Sequence, residues 1–255
     1  MTQNPYESPE NPQAPRIARA GKSLSLLNIL AVTGILALII ALVLPSMRWA
    51  PRSRGRTPCM NNLKNITLAV ISYAERHNAF PPAYTVDAVG NRLHSWRTLI
   101  LPYLDQKTLY ESIDLSKPWN DPANAKAYGT EVDVFRCPSA RLSGGLTTYL
   151  GNAANGGCFT GDRPRPVSVT RYPHRQTVLV VEVASSHAVH WMAPEDADES
   201  ILLNFGSGNR SAHIGVVNAG FVDGTVRTLS VDLDSHIRRA LISASGRDEI
   251  NSTEY

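Results

Sequence analysis

An α+β protein held by an N-terminal transmembrane helix is what the sequence predicts, on three observations. Residues 24–44 form an apolar run broken only by Ser25, Asn28, Thr33 and Gly34. Beyond it, Leu63, Ile66, Val70 and Tyr73 recur at helical spacing between Met60 and about His77. The second half of the chain turns to β-branched runs, two of which flank Asp223-Gly224. The expected ectodomain is therefore an amphipathic helix packed on an antiparallel β-sheet.

Residues 1–23, with Asn4-Pro5-Tyr6 and Ser8-Pro9-Glu10-Asn11-Pro12, are polar and proline-rich. Such a leader buries no apolar surface and is expected to be a disordered cytoplasmic tail. A helix over 24–44 rises about 1.5 Å per residue and so matches the ~30 Å hydrocarbon core, whereas the apolar region of a cleaved signal is about half that length. Pro45, Ser46, Met47, Arg48 and Trp49 follow it without a small-x-small cleavage pattern, and Trp49 with the arginines beyond suits the headgroup layer. Arg16, Arg19 and Lys22 precede the span, while Arg48, Arg52, Arg54 and Arg56 follow it. That count leans weakly against export of the C-terminal part.

Residues 45–58, with Pro45, Pro51, Pro58 and four arginines, read as a stiff basic connector. Phe80-Pro81-Pro82 stops the helix that begins near Met60. Short helices are expected at Ser95 to Leu101 and Lys107 to Tyr110, and a turn at Pro118 to Pro122 leads into a helical segment through Ala127. Strands are expected at Val132 to Arg136, Thr147 to Leu150 and Thr177 to Val183. Val216 to Val222 and Thr225 to Val231 read as a hairpin closed by a two-residue type I′ turn at Asp223-Gly224. Ser235 is placed to cap a last helix from about His236 to Ser243, with Gly246 as its stop.

The formal net charge of +3 is unevenly distributed: residues 1–56 hold seven Lys/Arg and two Asp/Glu, leaving 18 basic and 20 acidic residues in 57–255. The basic excess belongs to the membrane flanks, pointing to a lipid bilayer as partner and not to nucleic acid. The three cysteines, Cys59, Cys137 and Cys158, lack the CxxC spacing of a thiolate zinc site. In an exported domain Cys137 and Cys158 can close a loop of about twenty residues, worth ~3 kcal/mol in the chain-entropy account. Isolated buried thiols explain them equally, and Cys59 would stay free or pair between chains.

Several ordered motifs stand together: Cys59-Met60-Asn61-Asn62-Leu63-Lys64-Asn65-Ile66, Phe80-Pro81-Pro82, Ser95-Trp96-Arg97 and Leu101 to Gln106. Pro118-Trp119, Phe135-Arg136-Cys137-Pro138-Ser139 and His213-x9-Asp223-Gly224 complete the set. In this the chain resembles the DUF1559 family, whose N-terminus is similar to type II secretion pseudopilins and whose H-x9-DG signature accompanies prepilin-type sequences. The resemblance covers nearly all of residues 24–243. It implies a pilin-like anchor helix in the cytoplasmic membrane with the N-terminus inside, residues 59–245 as an extracytoplasmic α+β domain, and a C-terminal tail at 246–255. Envelope or secretion-type proteins are the partners it implies, and it supplies no biochemical activity. The chain departs from a prepilin processing site: Gly21 is followed by Lys22, and Leu26 stands where prepilins carry Glu. A simple tether is therefore expected ahead of a filament subunit.

His213, Asp223 and Gly224 are picked out by that signature, and a histidine with a carboxylate can hold a cation or move a proton. Turn chemistry already accounts for Asp223, and His213 can simply hydrogen-bond at a strand entrance, so the structural reading stands ahead of a cation site. His187, His190, Trp191, Glu195 and Asp196 form a second group; Pro194-Glu195-Asp196 resembles a family loop able to offer oxygen ligands to calcium, or it is a solvated acidic loop. Trp96, Tyr103, Tyr110 and Trp119 can line a glycan or peptide groove or fill a core under long loops. Without G-x-S-x-G, HExxH, Walker or GxGxxG motifs, no catalytic residue and no cofactor are expected. Three functions remain in order: a pseudopilin-like structural or interaction protein, a tethered glycan- or peptide-binding module, and a cation-dependent enzyme using His213 and Asp223.

Overall fold

The computed structural model describes residues 26–48, 55–170, 176–205 and 212–244, with no side chains described at 41–48 or 169–170. The leader with Gly21 and Lys22, connector residues 49–54, and the tail with Gly246 lie outside the described residues. The chain divides into two units, Met1–Pro51 and Arg52–Tyr255.

In the first unit, helix α1 (Leu26–Arg48) continues through Pro45. Its side chains over residues 26–40 are exposed and mostly apolar. The Thr33 hydroxyl donates to the Ile29 and Leu30 carbonyls, so its polar group is satisfied inside the helix. Among the described residues no helix is long and apolar enough to cross a membrane.

The second unit begins with α2 (Arg56–His77), four residues earlier than the sequence suggests. Pro58 sits in its first turn, where a missing N–H costs no helical bond, so the proline read as connector belongs to the helix. Cys59, Leu63, Ile66, Val70 and Ala74 form its buried stripe, and Asn78, left-handed at φ 52°, closes it. There follow β1 (Ala79–Phe80), β2 (Tyr84–Val86) and β3 (Arg92–Ser95), then short helices α3 (Trp96–Leu99), α4 (Lys107–Glu111) and α5 (Ala125–Tyr128).

The segment expected as a strand at Val132 to Arg136 is instead a 3-10 turn at Asp133–Phe135. Its carbonyls face no neighbouring strand: the Asn62 side-chain amide, reaching from α2, donates to Asp133 O at 3.3 Å and Arg136 O at 2.9 Å. Val132 and Phe135 are buried beneath.

The strands are β4 (Leu146–Thr147), β5 (Tyr149–Gly151), β6 (Arg165–Pro166), β7 (Val178–Glu182) and β8 (Val189–His190), with α6 (Glu199–Leu203) before β9 (Val216–Phe221), β10 (Val226–Ser230) and α7 (Ser235–Ile242). The main sheet runs β10-β9-β7-β5 with every pair antiparallel. β7 lies inside it and is buried at all five positions, which is why its sequence is apolar from Val178 to Val181 without alternation, with Glu182 the one buried acid at its end. α7 is capped by Asp234, whose carboxylate accepts from His236 N, one residue before the expected Ser235.

Strand alternation sorts the sheet's two faces. Tyr149, Val180, Glu182, Asn218 and Gly220 turn toward α2, whereas Leu150, Val181, Val217, Ala219, Phe221 and Leu229 meet Leu202 of α6 and Leu241 and Ile242 of α7. The architecture is thus α+β in three layers: α2, the antiparallel sheet, and the α6–α7 pair. Contact with α2 is close, because a Cβ added to Gly220 would fall 2.0 Å from Thr67 Oγ1.

The hairpin between β9 and β10 carries a three-residue loop, not the expected two-residue turn. Phe221 N donates to Thr225 O and Gly224 N to Phe221 O, so Val222-Asp223-Gly224 is the loop. Only Gly224 has a positive φ, 81°, the pattern of a type I turn followed by a glycine bulge; a type I′ turn would also need it at Asp223.

Candidate functional site

The first turns of α2 gather the family-like motifs around one point. Cys59 is joined to Cys137 by a disulfide with Cα atoms 5.0 Å apart. The Cys137–Cys158 pairing weighed against isolated buried thiols is corrected: Cys158 is a free, fully buried thiol pushed up to about 12 by burial, with Arg165 opposing. The short loop suggested that pairing on the sequence alone, but packing of α2 over the Asp133–Phe135 turn brings the partner 78 positions away to Cys137. In the chain-entropy account a closure of that span stabilises by roughly 4.5 kcal/mol.

Around this pair lie two further donors. Cys59 Sγ, Cys137 Sγ, a Glu182 carboxylate oxygen and a His213 ring nitrogen all sit within 4.8 Å of one another, and all four residues are buried. His213 Nε2 is 3.3 Å from Glu182 Oε2. The same Oε2 accepts from Asn218 Nδ2 at 2.7 Å, and Thr228 Oγ1 lies 3.4 Å from Asn218 Oδ1. Glu182 Oε1 has no hydrogen-bond partner among the described residues. Tyr149, opposite Glu182 in the sheet, donates its hydroxyl to Cys59 O at 3.0 Å. Burial, and secondarily the Glu182 charge, push that phenol far above its ordinary value, so it serves here as a fixed donor.

His213 and Asp223 do not form a site together. They lie beyond opposite ends of β9, six residues that alone extend about 20 Å. Asp223 Oδ1 accepts from Thr225 N and Oγ1, while Oδ2 meets Arg227 at 3.0 Å: the carboxylate builds the hairpin turn. Gly224 docks that turn on α2 by accepting from Lys64 Nζ.

The group after β7 also separates. His187 is exposed, whereas His190 stacks on Tyr128 at 4.4 Å and on Trp119 at 5.3 Å. Trp191 is buried and donates to Thr130 O. Asp196 is not a solvated acid: its side chain is buried and its Oδ1 accepts from Trp96 Nε1, Arg97 Nη1 and Gly151 N at 2.7–2.8 Å, while Oδ2 has no hydrogen-bond partner among the described residues. Arg97 is fully buried; besides Asp196 it donates to the carbonyls of Trp191, Tyr149, Ala193 and Glu195. Burial raises the Asp196 carboxyl while Arg97 and the hydrogen bonds lower it. This ion pair ties α3 to the 191–196 loop, and Glu195 alone of that loop's acids is exposed.

Of the four aromatics weighed as groove or core, Trp96 is core, packed on Phe159, and Trp119 belongs with Tyr128 and His190. Tyr103 and Tyr110 line an open groove of about 480 Å³ together with Tyr73, His77, Leu99 and Pro102.

Sequence reasoning missed Cys59, Glu182 and Asn218 as neighbours of His213. Glu182 did leave a signal: it is the one acid inside Val178-Leu179-Val180-Val181-Glu182-Val183. A family model described as protein of unknown function (DUF1559) matches residues 50–177. The match contains Cys59 and Cys137 and ends before Glu182 and His213. No curated protein and no solved structure matches the chain.

Proposed function

The chain belongs to the DUF1559 family, and from that premise we propose that it is a membrane-tethered, extracytoplasmic protein of the cell envelope that acts through protein contacts, not by catalysis. The observation that carries this reading is the Cys59–Cys137 disulfide, because such bonds persist in oxidising compartments and are rare in the cytosol. The apolar run at 24–44 supports the tether and a single pass through the cytoplasmic membrane with the N-terminus inside. The family's likeness to pseudopilins, together with a helix laid on an antiparallel sheet, favours a structural or recognitional role. Both carboxylate oxygens of Asp223 are occupied in the hairpin turn, and Asp196 is paired with Arg97, which favours the same role.

Protease treatment of intact or osmotically opened cells, read with intact mass, tests the proposal. External trypsin should cut the 59–245 domain once the outer layers are breached, while a cytosolic control survives. Protection of the domain alongside that control would overturn the reading. A second reading, a glycan- or peptide-binding module, is favoured by the groove lined by Tyr103 and Tyr110. Binding on a glycan or peptide array that Tyr110→Ala abolishes without altering the circular-dichroism spectrum would select it.

A further inference from the structure

We propose that Cys59, Cys137, Glu182 and His213 form a redox-gated metal centre: as dithiol the site holds one thiophilic divalent cation, with zinc the best match, and as disulfide it excludes the cation. Four donors of a tetrahedral zinc site with bonds of about 2.0–2.3 Å lie roughly 3.3–3.8 Å from one another. The four donor atoms here all lie within 4.8 Å of one another, with the two sulfurs held closer than that spacing by the disulfide, so the site reaches the scale of a zinc centre only once that bond opens and the side chains adjust by about an ångström. Sulfur with imidazole and one carboxylate suits zinc, whereas calcium or magnesium would ask for oxygen throughout.

Two further observations point to a ligand. Glu182 is 4 % exposed, and its Oε1 has no hydrogen-bond partner among the described residues, an arrangement that is costly for a carboxylate unless a cation compensates it. Around the donors lies an outer layer of the kind that orients metal ligands: Asn218 holds Glu182 Oε2, Thr228 stands behind Asn218, and Cys59 Sγ lies 3.6 Å from Ser139 Oγ. With all four positions supplied by protein and buried, the centre is closed, so its role is structural or sensory and offers no position for a substrate.

The gating step balances as thiol–disulfide exchange. An external dithiol attacks, the Cys59–Cys137 S–S bond breaks, and two electrons and two protons pass to the two sulfurs as the dithiol becomes a disulfide. Cation binding then displaces both thiol protons, and the two thiolates and Glu182 offset the dication's charge. Reoxidation by a disulfide removes the two electrons from the sulfurs, re-forms their bond and expels the cation.

The full chain in detergent micelles, reduced with dithiothreitol, desalted without oxygen and titrated with Co2+, tests this. One equivalent should bind with thiolate-to-cobalt charge transfer and the intense d–d bands of a tetrahedral site; Zn2+ should displace it. The oxidised protein should bind at least tenfold less under the same conditions. Glu182→Gln and His213→Ala should weaken binding at least tenfold, Cys137→Ser should lower the charge-transfer intensity per bound cobalt by about half, leaving one thiolate, and Asn218→Ala should weaken binding about 10–100-fold by disturbing a ligand's support. If reduction unfolds the chain, recovery of the circular-dichroism spectrum on adding Zn2+ supports the centre. Failure to bind Co2+ after reduction, failure of Zn2+ to restore an unfolded reduced chain, or binding indifferent to both Glu182→Gln and His213→Ala would overturn it. Location in the cell does not enter these readouts, so this inference and the envelope reading fail separately.

Discussion

Gly220→Ala probes the contact between helix and sheet on which the domain is built. The added Cβ would lie 2.0 Å from Thr67 Oγ1 and 3.2 Å from its Cβ, and Thr67 is fully buried on α2 with its hydroxyl donating to Leu63 O at 2.8 Å. Gly220 lies in β9 without a positive φ, so alanine brings no backbone strain and even gains about 0.4–1 kcal/mol from a less flexible unfolded chain. Against this, overpacking costs about 1–3 kcal/mol, and turning Thr67 aside removes a buried hydrogen bond worth ~1 kcal/mol. The balance is a net loss of about 2 kcal/mol, which for a domain of roughly 200 residues lowers Tm by ~4–8 °C.

Thermal melts of the full chain, followed by near-ultraviolet circular dichroism, would measure it. Thr67→Ala removes the colliding oxygen, so the double variant should be less destabilised than the sum of the singles by about 1 kcal/mol. A Gly220→Ala protein as stable as its parent, or strictly additive effects, would refute the close packing of α2 on β9.

Two further outcomes follow from buried charge. Arg97→Ala should cost about 3–5 kcal/mol, because Asp196 would be left buried without its cation; Asp196→Asn together with Arg97→Met should cost less than the single change, as chemical denaturation can show. Acid should weaken the fold through His94 and His190, both held below the usual imidazole value of 6.5, chiefly by burial. With folded values depressed, the unfolded chain takes up protons first; this part of the stability is complete above pH 6.5 and is lost as the pH falls from there through the folded values. Urea midpoints taken at neutral pH and near pH 5 should differ less in His94→Gln with His190→Gln than in the parent, and an equal acid loss would count against the two rings.

What was legible followed local rules. The stripe Leu63, Ile66, Val70 announced α2, the run at Val178–Val181 announced a buried strand, and the Asp-Gly pair announced a hairpin. Each depends on residues a few positions apart. The turn at Asp133–Phe135 was not legible, since its β-branched composition yields to an amide supplied by Asn62 some seventy positions earlier. Neither was the disulfide: loop entropy favours the short span to Cys158, and only the docking of α2 presents Cys59 to Cys137. Arg97 illustrates the same limit. A serine-tryptophan-arginine tripeptide reads as the start of a short helix, and nothing local shows that Arg97 is fully buried because five acceptors wait for it in strands and loops from later in the chain. The cluster around His213 draws its four members from α2, the segment after Asp133–Phe135, β7 and the approach to β9, so no window of sequence contains it.

The covalent link between Cys59 and Cys137 also decides how the domain bears load. Tension entering from upstream of Arg56 reaches Cys59 after one helical turn and crosses directly to Cys137. Residues 60–136 are shunted out of the force path, and α2 need not resist shear along the sheet. Cleaving that one bond would route the same pull through the whole helix and the loops behind it, turning a stiff coupling into an extensible one.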